Sequence, residues 1–149
     1  MTIPSQPFYR EHLCAWAAGF FEGEGCVYLK RTLPDKTHKT ERLEARCTIT
    51  NSERILLEKM QTRWGGTIRS REPHGIGKKT LYQWNLYSSA MERFLEDIRP
   101  FMTGEKSPKV DTVFELRARQ KLTGRARDNY GRIAKLSQEE ARWRSQVKL

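Results

Sequence analysis

Hydrophobic period changes along this chain twice in the same order, and that repetition restricts the fold more than any single motif does. Between Tyr9 and Glu22 the apolar residues Leu13, Trp16, Ala17 and Phe20 recur at i, i+3, i+4 and i+7, one face of an amphipathic helix. CVYLKR and LEARCTITN then alternate at period two: Val27 and Leu29 oppose Tyr28 and Lys30, and Leu43, Ala45, Cys47 and Ile49 oppose Glu44, Arg46, Thr48 and Thr50. The polar, basic TLPDKTHKTER joins them as a long hairpin tip. Ser52 is the expected cap of a second helix that carries Leu56, Leu57, Met60 and Trp64 and stops at Gly65-Gly66. TIRSR and TLYQWNLYS repeat the strand pattern across the turn-rich EPHGIGKK. Ser89 and Glu92 then predict a capping box before the stripe Met91, Phe94, Leu95 and Ile98, which ends at Pro100. Helix, two strands, helix, two strands, helix suits an α+β fold in which helices cover one face of an antiparallel sheet and leave the other free.

That free face would present Tyr28, Lys30, Thr32, Arg42, Glu44, Arg46, Thr48, Thr50, Arg69, Arg71, Gln83, Asn85 and Tyr87. A polar sheet face can be merely solvated, but arginines standing among amides, threonines and tyrosines are the groups that bond phosphates and base edges in a major groove. With 28 Lys+Arg against 18 Asp+Glu, the net charge of +10 also favours a polyanionic partner. The length of 149 residues fits a single domain over 1–149, with a core at about 9–122 and a basic helical extension at 123–149. Within that C-terminal part a helix is expected over about Lys109 to Leu122, closed by Thr123-Gly124. The loose basic stretch RARDNYGRIAK follows, then a final helix opened by a Ser137/Glu140 capping box. Phosphate contacts and a solvated surface both fit this segment.

Three cysteines (Cys14, Cys26, Cys47) without C-x-x-C spacing argue against a disulfide framework and a zinc site, and His12, His38 and His74 are too scattered for a histidine-metal centre. MTIPSQPFYREH has no signal-peptide core, and AWAAGFF is far too short to span a bilayer. These features lead to the expectation of a soluble intracellular protein, in cytoplasm or an organelle matrix, with no membrane partner.

AWAAGFFEGEG, residues 15–25, breaks two local rules. Ala15, Gly19 and Gly23 are spaced by four with Ala18 beside them, a row of small residues that lets a second helix approach closely. Another helix of this chain and a second copy of the chain would both use it. Glu22 and Glu24 then stand at the negative end of the helix, where each acid typically costs ~0.3–1 kcal/mol. Such a violation is a functional clue.

AAGFFEGEG (Ala17 to Gly25) resembles the signature nonapeptide of the LAGLIDADG homing endonucleases, with Ala17 standing for leucine and glutamates where the family mostly has aspartate. The resemblance runs through roughly Leu13 to Leu116: hairpin, ITN before the second helix, GG after it, the IRSR and YQW strands, and PFMTGEKSPK where the family has a proline-aromatic pair followed by lysines. It implies an αββαββα fold with a saddle-shaped antiparallel sheet on the DNA major groove, plus C-terminal helices here. The implied activity is site-specific double-strand cleavage of a long, near-palindromic DNA target. As a single-motif chain it would act as a homodimer through the first helix, with Ala15, Ala18, Gly19 and Glu22 at the interface.

The resemblance assigns Glu24 as the metal ligand, with the Gly23 carbonyl beside it, for Mg2+ or another divalent cation such as Mn2+ or Ca2+. Glu22 corresponds to an acid that more often supports the helix end. Asn51 takes the place of a polar residue that orders active-site waters, and Lys106 that of the basic group near the scissile phosphate, with Lys109 as its competitor. DNA-binding residues would be Tyr28, Lys30, Thr32, Arg42, Glu44, Arg46, Thr48, Arg69, Arg71, Gln83 and Asn85. Some relatives instead assist splicing of their host intron RNA or act as inactive DNA-binding regulators, and a basic ribosome-associated protein would explain the charge and the sheet but not the two glutamates.

Overall fold

The computed structural model describes residues 7–37, 39, 41–73, 76, 78–122 and 138–147. Helix α1 (Pro7–Glu24) leads directly into β1 (Gly25–Thr32), followed by β2 (Arg42–Asn51), α2 (Arg54–Trp64), β3 (Thr67–Arg71), β4 (Leu81–Tyr87) and α3 (Ser88–Ile98). A 3-10 turn (Arg99–Phe101) then precedes α4 (Ser107–Leu122) and α5 (Gln138–Gln146). The four strands form one antiparallel sheet in the order β1-β2-β4-β3. Up to α4 this is the expected αββαββα order.

Alternation divides the sheet as expected. Val27, Leu29, Leu43, Cys47, Ile49, Trp84 and Leu86 are buried on the inner face, against Leu57, Met60 and Trp64 of α2, Met91, Phe94, Leu95 and Ile98 of α3, and Val110, Val113 and Leu116 of α4. Burying an aliphatic or Phe side chain contributes roughly 1.5–3 kcal/mol, so this layer supplies the main stabilisation. Phe94 is its hub, meeting Phe21, Trp64 and Trp84 edge-on at centroid separations of 5.4, 5.0 and 5.1 Å. Gly65 and Gly66 end α2 with φ of 78° and 87°. A Cβ on Gly66 would sit 2.5 Å from the Asn85 carbonyl oxygen, and the Trp84 indole N–H donates to the Gly65 carbonyl at 2.8 Å.

Several local expectations are corrected. The buried side of α1 is Cys14, Ala17, Ala18 and Phe21, whereas Leu13, Trp16 and Phe20 are only partly covered. The stripe is rotated because small Ala17 and Ala18 let the helix settle against the core. Trp16 and Phe20 stack on its flank at 5.3 Å with the Lys59 ammonium 4.4 Å from the Trp16 ring centre. Helix α1 also runs to Glu24 rather than ending at Glu22. Ser52 does not cap α2: the Asn51 side-chain oxygen accepts the Glu53 N–H at 2.8 Å, and the cap position, Glu53, makes no side-chain bond. Nor do Ser89 and Glu92 form a capping box, because α3 begins at Ser88 (φ 51°) and Glu92 accepts from the Arg117 Nε at 3.0 Å.

Helix α5 returns to the far end of the first hairpin. Trp143 and Val147 pack on the core, the Arg119 guanidinium stacks on Trp143 at 4.3 Å, and Arg31 donates to the Arg144 carbonyl. Ser137, Thr123-Gly124, the basic stretch 125–135, His38 and His74 lie outside the described residues. Among the described residues no helix is long and apolar enough to cross a membrane.

Candidate active site and nucleic-acid interface

Helix α1 delivers its two acids to different surroundings. The Glu22 carboxylate turns back onto its own chain, where Oε1 accepts the N–H of Thr103 at 2.9 Å and the N–H of Gly104. Lys106, at the foot of α4, reaches the same turn from the other side. Its ammonium donates to the Phe21 carbonyl at 3.2 Å and to the Glu22 carbonyl. A cation on the last carbonyls of a helix opposes the negative end of its dipole, which offsets the cost of acids there.

Glu24, the final residue of α1, is exposed, and no described residue donates a hydrogen bond or ion pair to its carboxylate. Asn51 shares its end of the sheet, since the register that sets Gly25 against Ile49 carries Asn51 past the start of β1. The Asn51 side-chain oxygen is nonetheless used locally, on Glu53. Lys109 is half-buried within the first turn of α4. The ammonium reaching the end of α1 is therefore that of Lys106, held by helix carbonyls.

The four residues expected at a helix-helix interface separate. Ala15 and Gly19 are exposed, and a Cβ on Gly19 or Gly23 would meet nothing within 4 Å. Ala18, by contrast, is wholly buried in its own core, and Glu22 is engaged within the chain. The open row is Ala15, Gly19 and Gly23, with successive members four residues apart so that they stack on one side of the helix.

Across the outer sheet face, register places Lys30 beside Glu44, Tyr28 beside Arg46 beside Tyr87, and Thr50 beside Gln83 beside Arg69. The Arg46 guanidinium lies 4.8 Å from the Tyr28 ring centre, so its plane is oriented before any ligand arrives. Lys30, Arg42, Glu44, Arg69 and Arg71 are exposed, and Thr32, Arg46, Thr50 and Gln83 are half-buried. Thr48 and Asn85 differ from these in being covered. Each is only 3% exposed, because they occupy the central strands of the row Cys26, Thr48, Asn85, Thr67, with neighbours on both sides. The Asn85 amide donates to the Gln83 carbonyl at 3.2 Å.

Leu81 and Thr67, exposed on this face, were missed, although the alternation of β4 and β3 already carried them. Cations crowd the face with Glu44 as its acid, so it attracts anions from a distance. Nothing local in the sequence signalled the Glu22 contact with Thr103 and Gly104.

Neither a family model nor a curated protein matches this chain. Solved structures do match its fold. The homing endonuclease I-CvuI in complex with the I-CreI target superposes with a TM-score of 0.64 at 18% identity, over 78% of this chain and 72% of that one. The archaeal intron-encoded homing endonuclease I-Vdi141I complexed with DNA gives 0.60 at 21% identity, over 80% and 73%. The meganuclease I-SmaMI bound to uncleaveable DNA gives 0.59 at 14% identity, and there this chain covers 81% of itself but 38% of its neighbour. The fold is that of the LAGLIDADG homing endonucleases.

Proposed function

We propose that this chain is a site-specific DNA endonuclease of the LAGLIDADG type, a single domain over 1–149 acting as a twofold dimer. Glu24 carries the reading: an exposed carboxylate, without a partner among the described residues, ends the motif helix at the margin of a cationic sheet face. A structural glutamate would be bonded, as Glu22 is. The single sheet, set against neighbours such as I-SmaMI of which it covers 38%, supports a second copy as the missing half.

The donors fit a hard divalent cation. Glu24 and the Gly23 carbonyl offer oxygen ligands of the kind magnesium takes. Among the described residues no group of three or more His, Cys, Asp or Glu could hold a metal alone. The remaining ligands would come from the second copy's helix end and from DNA phosphates. When bound, the ion supplies Lewis acidity at a phosphodiester. The chain's own residues do the rest: Arg46, Arg69, Arg71, Lys30 and Arg42 bind and orient the duplex, and Gln83 and Thr50 offer groups to base edges. I-CvuI was seen with its target in 2 mM calcium, and with the I-CreI target uncleaved in 2 mM magnesium, in line with divalent cations at such a site.

Sequencing the ends left on plasmid libraries in magnesium tests the proposal. Wild type should leave discrete double-strand ends at one long site. Glu24→Gln, which keeps the shape and removes the charge, should abolish them while binding to that site persists. Cleavage retained by Glu24→Gln, or the absence of discrete ends from wild type, would overturn it.

A further inference from the structure

Glu24 stands between Gly23 and Gly25, the residue type with the most backbone freedom to lose, and helix ends fray. Pairing of Gly25 with Ile49 fixes its strand side, so it is the helix side that must be held from elsewhere. Glu22 and the 103–106 segment grip each other in both directions: the carboxylate accepts two backbone N–H groups from Thr103 and Gly104, and the Lys106 ammonium returns bonds to the carbonyls of Phe21 and Glu22. Those carbonyls belong to the last four of α1, which have no partner inside a helix. No basic residue in the last turn of α1 itself could serve them. Lys106 thus commits two of its three N–H groups to the helix.

Gly104 supports the same reading. Its backbone is not left-handed, so conformation does not require glycine there. The Glu22 contact favours it, since a Cβ would lie 2.7 Å from Glu22 Oε1 and push that carboxylate from its two donors. We propose that Glu22, Gly104 and Lys106 form a clamp, spanning more than 80 residues of sequence, that positions Glu24, and that Lys106 is a positioning residue rather than a contact to the scissile phosphate. The function of the clamp rests on the endonuclease reading of Glu24; its existence does not.

Gly104→Ala and Lys106→Met in the full chain separate the possibilities. Alanine displaces only the mobile end of a glutamate and touches no charge. In metal-free protein, both variants should speed amide exchange at Thr103, Gly104 and the last turn of α1 by roughly tenfold, the scale of one lost charge-assisted bond. In cleavage assays with DNA saturating, both should raise the magnesium midpoint more than they lower the maximal rate. The double variant should be little worse than either single one, and the salt slope of DNA binding should not change.

A Lys106→Met protein with wild-type exchange, a lower maximal rate and a salt slope reduced by about one would make Lys106 a phosphate contact and overturn the proposal. So would a Gly104→Ala protein indistinguishable from wild type. If wild type cuts no DNA, the endonuclease reading fails while the exchange data still decide whether the clamp exists.

Discussion

Replacing Gly19 by leucine should have opposite effects on the folded chain and on the proposed dimer. Within the chain, a Cβ at position 19 meets nothing within 4 Å and the site is exposed. Removing a mid-helix glycine should then stabilise the monomer by about 0.5–1 kcal/mol, a rise of a few degrees at most in Tm for a domain of this size. At a twofold interface built on Ala15, Gly19 and Gly23, the same leucine has no reserved space. Overpacking costs ~1–3 kcal/mol per site, and symmetry counts it twice, so the dimer should lose ~2–6 kcal/mol. That is a dissociation constant weakened about 30-fold to more than 10,000-fold. Sedimentation equilibrium over a concentration series reads the second effect, and urea unfolding below the dimer's dissociation constant reads the first. A variant as dimeric as wild type would refute the interface. A variant whose monomer is destabilised would instead mean that the row packs inside its own chain.

On the sheet face, Arg46→Ala should cost ~1–3 kcal/mol of DNA affinity and relax preference at one base position, whereas Thr48→Val should leave binding within about twofold because its side chain is already covered; selection on randomised targets distinguishes them. Phe94→Leu removes three edge-to-face ring contacts as well as volume and should cost roughly 2–4 kcal/mol, seen by calorimetry as a drop of about 5–15 °C. The Arg99 guanidinium, hydrogen-bonded to Asp111 at 2.8 and 2.9 Å, holds that carboxyl below its ordinary range. Its folded value being the lower, the small stabilisation of this exposed pair is complete above about pH 4 and lost as pH falls through the lowered value, so Asp111→Asn should flatten that part of the urea midpoint's acid limb.

Periodicity is local, and whatever depended on it could be read from the chain alone. The order of elements, the inner faces of β1, β2 and β4, the stripe of α3, the Gly65-Gly66 stop and the outward basic residues all follow from spacings of two or of three to four residues. A nonapeptide ending in Glu-Gly-Glu-Gly was equally visible. Tertiary structure decided what depends on neighbours far away in sequence. The sheet order β1-β2-β4-β3 puts Thr48 and Asn85 on central strands, where flanking side chains cover them, while Arg69 and Arg71 on an edge strand stay open. Packing of Ala18 into the core turned α1 by one residue and took Ala18 out of the open row, leaving Ala15, Gly19 and Gly23. The two glutamates of one motif parted in the same way. Glu22 found backbone donors at Thr103 and Gly104, which no local pattern announces, and Glu24 found none among the described residues, so its carboxylate remains free to meet a ligand.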